Sequence, residues 1–188
     1  GFASERKDIA LRVALTYSSA IDLELEGSGM GGLGDLNATM PESWNLDFQS
    51  GVAADTLVFG SIRHVGWSEA VIRDAAFGDL VTYDQDTTSY TLGVGRKFSD
   101  SFSGALSVGY EEEQGGTASN LAPTDGNMSI GIGGTYTIDN GIALTGGIRY
   151  VMTGDASSNV QTSATTTTPS DFSDNSAIAI GLKVAYSF

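Results

Sequence analysis

The sequence predicts an all-β fold, an antiparallel transmembrane β-barrel, and three observations predict it. Large apolar residues recur at every second position along most of the 188 residues, which is the period of a strand and not of a helix. The residues between them are small and seldom charged: Thr91, Gly93 and Gly95, then Ser103, Ala105, Ser107 and Gly109. Short and long connections alternate between these segments. Alternation by itself also fits a soluble barrel or sandwich with its apolar face inward. In such a protein the polar face meets water and is crowded with charged side chains. A barrel lumen has little room and curved walls, which favours small residues.

The elements follow in order. From Ile9 to Leu25 the odd positions are almost all apolar, a strand well beyond the usual length of about 5–6 residues. Met40, Trp44, Leu46, Phe48 and Val52 mark a second strand, and Leu57 to Glu69 a third with less regular alternation. Tyr90 to Phe98, Phe102 to Tyr110, Met128 to Ile138 and Ile142 to Met152 give four more. The terminal stretch from Ile178 to Phe188 makes eight, and no segment has helical spacing. Short turns are expected at Ala53–Thr56, Ser99–Ser101 and Asp139–Gly141, the last an Asp-Asn-Gly of tight-turn chemistry. Long connections at 27–38, 70–88, 111–127 and 153–175 are rich in Gly, Ser, Thr, Asp and Asn. Short turns on one side and long loops on the other belong to a bacterial outer-membrane barrel, which places long loops outside the cell and, for eight strands, both chain ends in the periplasm.

Composition agrees. A net charge of −14 excludes nucleic acid as a partner, since that requires a concentrated basic surface. There is no cysteine, hence no disulfide and no thiol chemistry. No run approaches the roughly 20 apolar residues of a membrane helix. The chain opens on Gly1 with no signal segment, as a processed chain or a piece of a longer one would.

Aromatics on the apolar parity cluster near strand ends. Phe98, Phe102, Tyr136, Tyr186 and Phe188 lie near short turns or the terminus, and Tyr17, Tyr90, Tyr110 and Tyr150 toward the long loops. Two such belts mark the two membrane interfaces, in contact with lipid and lipopolysaccharide. The final Phe188, with Tyr186 two before it and a two-faced strand behind, resembles the C-terminal signal that the barrel-assembly machinery reads in outer-membrane proteins.

Three stretches narrow the class. MPESWNLDF (40–48) resembles the Pro-Glu-x-Trp strand start of FadL-type long-chain fatty acid transporters. LVFGSIRHVGWSEA (57–70) is similar to the strand that follows it, and DIALRVALTYSSAIDLELEG (8–27) to the one before. The resemblance implies a 14-stranded barrel plugged by an N-terminal hatch, carrying long-chain fatty acids or aromatic hydrocarbons passively across the outer membrane. This chain resembles only the last eight strands, so residues 1–188 are read as one transmembrane barrel region lacking the hatch and the first strands. The alternative is a small closed eight-stranded barrel with a structural or adhesion role and a lumen filled by side chains.

Candidate site residues follow from the lumen-facing parity. Arg12, Arg63, Arg149 and Lys183 form either a basic patch for a fatty acid carboxylate or partners for lumen acids such as Asp22, Glu24 or Asp47. In the third strand Leu57, Phe59, Val65 and Trp67 share one parity, forming a greasy lumen wall for an apolar ligand or packing on lumen neighbours. Trp44 and Trp67 also fit interface anchors. The run Glu111–Glu113 reads as a solvated loop or a site for divalent cations that bridge lipopolysaccharide. No enzyme is expected: the one histidine, His64, has no nucleophile-and-acid motif around it. The glycine-rich stretch 27–35 lacks the Lys-Ser/Thr of a phosphate loop. No cofactor or metal is expected.

Overall fold

The computed structural model describes residues 1–27, 34–76, 78–118, 123–138, 141–163 and 166–186. Phe188, Asp139, Asn140 and residues 28–33 of the glycine-rich stretch lie outside them. In chain order the strands are β1 (Phe2–Arg6), β2 (Leu11–Ser18), β3 (Ile21–Leu25), β4 (Leu36–Met40), β5 (Ser43–Ala53), β6 (Thr56–Val65), β7 (Val71–Asp74) and β8 (Gly78–Thr82). There follow β9 (Thr87–Lys97), β10 (Phe102–Glu111), β11 (Thr117–Ala118), β12 (Asn127–Thr137), β13 (Ile142–Thr153), β14 (Ala156–Ser163), β15 (Thr166–Phe172) and β16 (Ser176–Tyr186). Two 3-10 turns, Lys7–Ile9 and Trp67–Glu69, interrupt them.

A nine-stranded sheet runs β1-β2-β5-β6-β9-β10-β12-β13-β16, every neighbouring pair antiparallel. Each of the eight expected segments contributes a strand to it and β1 adds a ninth, so the count in this sheet is nine and not eight. β1 escapes a periodicity reading because FASER is short and only Phe2 on its outward parity is apolar. Its register, Phe2 opposite Leu15 and Arg6 opposite Leu11, folds it back along β2. Nine alternating strands make β1 and β16 run the same way, so the two chain ends lie at opposite ends of the sheet. The expectation of both ends on the short-turn side therefore fails for the start of the chain. β1 and β16 are the two edges and do not pair with each other.

The long connections are not open loops. The β2–β5 ladder ends at Ser18 opposite Ser43, and the β3–β4 ladder resumes in the same register with Ile21 opposite Met40. The expected single strand from Ile9 to Leu25 is thus one hairpin arm interrupted at Ser19-Ala20, with Pro41, which lacks an N–H, in the gap on the other arm. Likewise β14–β15 continues the β13–β16 register, and β7–β8 extends β6–β9 after a one-residue shift at the 3-10 turn and carries a bulge of its own between Ile72 and Arg73. These extensions join into a four-stranded sheet, β3-β4-β7-β8, and a three-stranded one, β11-β14-β15. Here Asp74, 1 % exposed, accepts hydrogen bonds from the backbone N–H groups of Gly34 (2.9 Å) and Ala76 (2.8 Å).

The registers put the large apolar residues of the main sheet on one face. Val94, Leu106, Ile132, Ile148 and Ile180 face one another across five strands, as do Leu92, Val108, Ile130, Tyr150 and Ile178. These side chains have nothing packed on them: Ile132 is 66 % exposed and Leu182 88 %. Among the described residues the only buried apolar side chains are Val65, Ala70 and Ala156. A sheet this apolar on its outside, with no core beneath, is stable only with a non-aqueous medium against that face.

Aromatics bracket the band. Tyr17 packs against Trp44 at 4.5 Å with the rings tilted by 39° and Tyr90 faces Tyr110 at the loop end; Phe98 stacks on Phe102 at 5.5 Å beside Tyr136 at the other. At about 3.4 Å per residue and a tilt of about 40°, the run from Tyr90 to Phe98 spans roughly 20 Å, near the ~25 Å apolar band of outer-membrane barrels. Among the described residues no helix is long and apolar enough to cross a membrane, which says nothing of strands.

Candidate functional site

The opposite face of the main sheet is concave and built from small residues. Gly95, Ala105, Gly133, Gly147 and Gly181 stand in one row across β9, β10, β12, β13 and β16. With no bulk there, the sheet curls around a groove of about 930 Å³ reached by residues from β5 to β16. Leu57, Phe59 and Lys183 of the sequence-predicted set line it. Phe59 lies flat across its cross-strand neighbour Gly93, so close that a Cβ on Gly93 would enter the ring. Phe48 does the same over Gly60 on the outer face. Gly93→Val is therefore expected to lift Phe59 off the wall and crowd the Leu106 carbonyl. Loss of ligand binding with strand content unchanged by circular dichroism checks it, as against unfolding.

Arg12 lines a smaller adjoining hollow of about 340 Å³ with Asp47, Gln49, Leu57 and Phe59. It pairs across strands with Glu5 on β1 at 3.3 Å. Of the acids expected to meet the lumen cations, Asp22 accepts from Thr39 in the loop sheet and Glu24 lies opposite Asn37, while Asp47 shares this hollow with Arg12 and accepts from Asn45. Arg149 lines a third hollow of about 440 Å³, its Nη1 donating to Ser129 Oγ at 3.5 Å. Arg63 and Val65 are on the inner face nearer the loops, opposite Asn45 and Ser43, and line none of these hollows. The four cations are strung along the face and do not converge into one anion site.

Trp67 departs from its expected place. It sits beyond β6 in the 3-10 turn Trp67–Glu69, against Tyr83 at 5.1 Å, in the loop layer and not on the barrel wall. The turn is clamped by Asp86, which accepts from Ser68 N (2.9 Å) and Ser68 Oγ (2.7 Å). These hydrogen bonds hold the Asp86 carboxyl below its ordinary value of 3.8, so the clamp contributes stability above that value and loses it as pH falls through the depressed one. Protection of the Ser68 amide from hydrogen exchange is expected to fall across that window in the native chain and to be flat in Asp86→Asn. His64 bonds Thr88 through Nδ1 at 2.9 Å on the outer face, a structural role. Among the described residues no group of His, Asp or Glu could hold a metal.

Of the aromatics expected at the interfaces, Phe98, Phe102, Tyr136, Tyr150 and Tyr186 all lie on the outer, apolar face. Asp74, Tyr83, Asp86 and Asp125 were not legible as structural or site residues. Their partners lie up to 40 residues away in elements that the sequence presents as polar loop.

A curved antiparallel sheet with an apolar exterior and a small-residue interior defines the class: the wall of an outer-membrane-type β-barrel. Known structures agree on the fold. The chain matches the crystal structure of a Pseudomonas aeruginosa FadL homologue with a TM-score of 0.67 and 13 % identity, covering 86 % of this chain and 45 % of that one. It matches the monoaromatic hydrocarbon channel CymD (TM-score 0.52, 20 % identity, 76 % and 43 % covered). It also matches the TodX deltaS2S3 mutant monoaromatic hydrocarbon channel (TM-score 0.59, 19 % identity, 99 % and 48 % covered). The chain thus has the fold of FadL-type channels, and spans less than half the length of each of these three. No protein-family model and no curated protein matches it.

Proposed function

We propose that these residues form the C-terminal wall of an outer-membrane channel that passes small hydrophobic compounds by diffusion, without covalent chemistry or cofactor. The observation that carries this reading is the groove itself. It is floored by glycine, edged by Leu57 and Phe59, and set behind a wall whose other face is apolar. The neighbours named as channels are for a monoaromatic hydrocarbon, and the scattered cations with Arg12 already paired favour a neutral aromatic over a long-chain fatty acid. A 14-stranded wall needs five strands beside these nine. An odd number of added strands lets β1 and β16 each find an antiparallel neighbour. Closure of the nine alone would set β1 parallel to β16, which disfavours a small closed barrel as the alternative. In this reading the long hairpins are extracellular, the belts contact lipid and lipopolysaccharide, and the terminal strand is what the assembly machinery recognises.

The test is uptake by cells carrying the complete reading frame. Toluene entry that depends on the protein and drops severalfold in Phe59→Asp supports the proposal. Entry unchanged by deletion of the gene overturns it. Palmitate competing as well as toluene would move the ligand class to fatty acids.

A further inference from the structure

A second cavity, of about 370 Å³, lies in the loop layer apart from the inner groove. Its wall joins the rings of Trp67 and Tyr83 to the carboxyl groups of Asp84, Glu111 and Asp125, with no Lys, Arg or His among the described lining residues. We propose that this cavity binds a small organic cation, an alkylated ammonium group seated against the Trp67 and Tyr83 rings.

The rings pack against each other, tilted by 45° at a centroid distance of 5.1 Å, and both line the cavity. A cation within about 6 Å of an aromatic face is attracted by the ring's negative quadrupole. Both rings are held in place: the Asp86 clamp fixes the turn that carries Trp67, and Tyr83 lies on the short link between β8 and β9. The far side is equally tied. Asp125 accepts from the backbone N–H groups of Gln114 and Gly115, both at 2.7 Å, and Gln85 Nε2 donates to the Gln114 carbonyl at 3.2 Å. Glu111, half-buried at the end of β10, adds a carboxyl group with no basic neighbour in the cavity.

The sign of the ligand follows from this lining. An anion would meet three carboxyl groups and no compensating base. A neutral arene would gain the ring contact without the electrostatic attraction. The order of affinity is therefore cation, then neutral arene, then anion. It is opposite in sign to what a fatty acid site requires and independent of the channel reading, because Phe59 and the inner groove take no part.

The full-length polypeptide, purified in detergent, is titrated calorimetrically at constant ionic strength with benzyltrimethylammonium, benzyl alcohol and phenylacetate. The expected result is saturable binding of the cation at least tenfold tighter than of the alcohol, and none of phenylacetate. Trp67→Ala is expected to abolish it, Glu111→Gln to weaken it severalfold, and Tyr83→Phe, which keeps the ring, to retain it. Equal affinity for cation and alcohol, binding of phenylacetate, or an unchanged affinity in Trp67→Ala would overturn the proposal. Tyr83→Phe also reports folding, since a loss of binding there with strand content intact contradicts a site made by ring faces.

Discussion

Arginine in place of Ile132 is expected to cost about 2–4 kcal/mol of barrel stability, the penalty for a guanidinium at the mid-plane of a bilayer on the lipid face. Ile132 stands between Leu106 and Ile148 in the central apolar row, 66 % exposed with no protein to shelter the charge. Its control is Thr145→Arg. Thr145 faces the other way, opposite Thr135 and Lys183, where a long cation already stands. Urea titration in lipid vesicles should show Ile132→Arg unfolding at much lower denaturant and Thr145→Arg close to the parent. If both substitutions are mild, the apolar face does not meet lipid, and the membrane assignment falls with it.

Asp74→Ala is expected to open the four-stranded loop sheet while leaving the wall intact. The carboxylate is almost wholly buried and holds the N–H groups of Gly34 and Ala76, so it joins the start of β4's hairpin arm to the tip of β7–β8. Truncation leaves donors without an acceptor, at about 1–3 kcal/mol. Asp74→Asn should be intermediate, because one amide oxygen can still accept. Limited proteolysis is the direct measurement: cleavage near residues 75–79 should accelerate several-fold, with the β9–β16 region still protected. Equal protection in the alanine variant would mean that the sheet is held by its β4–β7 ladder alone.

The main sheet was legible because its physics is written in parity. Strands that contact the membrane put apolar residues on their outward positions, and those from Tyr90 to Tyr186 do so in every row but one, where Arg96, Gly104, Gly134 and Gly146 stand side by side. Strands held by other means left no such mark. β1 carries one outward apolar residue, Phe2, and is specified by its register on β2. β14 and β15 read as Ser, Thr and Asn, and form because the β13–β16 ladder already holds the hairpin closed in register. This also explains why the partner of Arg12 was not legible: Glu5 lies on the strand that periodicity could not find. Leu57, Phe59 and Lys183 were found by parity alone. Trp67 was assigned by the same rule, and left its place because the chain turns out of the sheet at Gly66. The row Gly95, Ala105, Gly133, Gly147 and Gly181 was visible residue by residue, but its alignment into a groove depends on registers that no single strand encodes.

The registers that β2–β5 hands on to β3–β4, and β13–β16 to β14–β15, limit how this protein can vary. Where one ladder runs from the membrane wall through to the outer tip, a single added residue in one arm shifts every side chain beyond it onto the wrong side. Length can then change cheaply only by matched additions to both arms, or at the tips. Relatives that diversify their outer surface should therefore differ by whole paired steps, as a telescoping ladder is extended rung by rung, while the wall below keeps its reading frame of in and out.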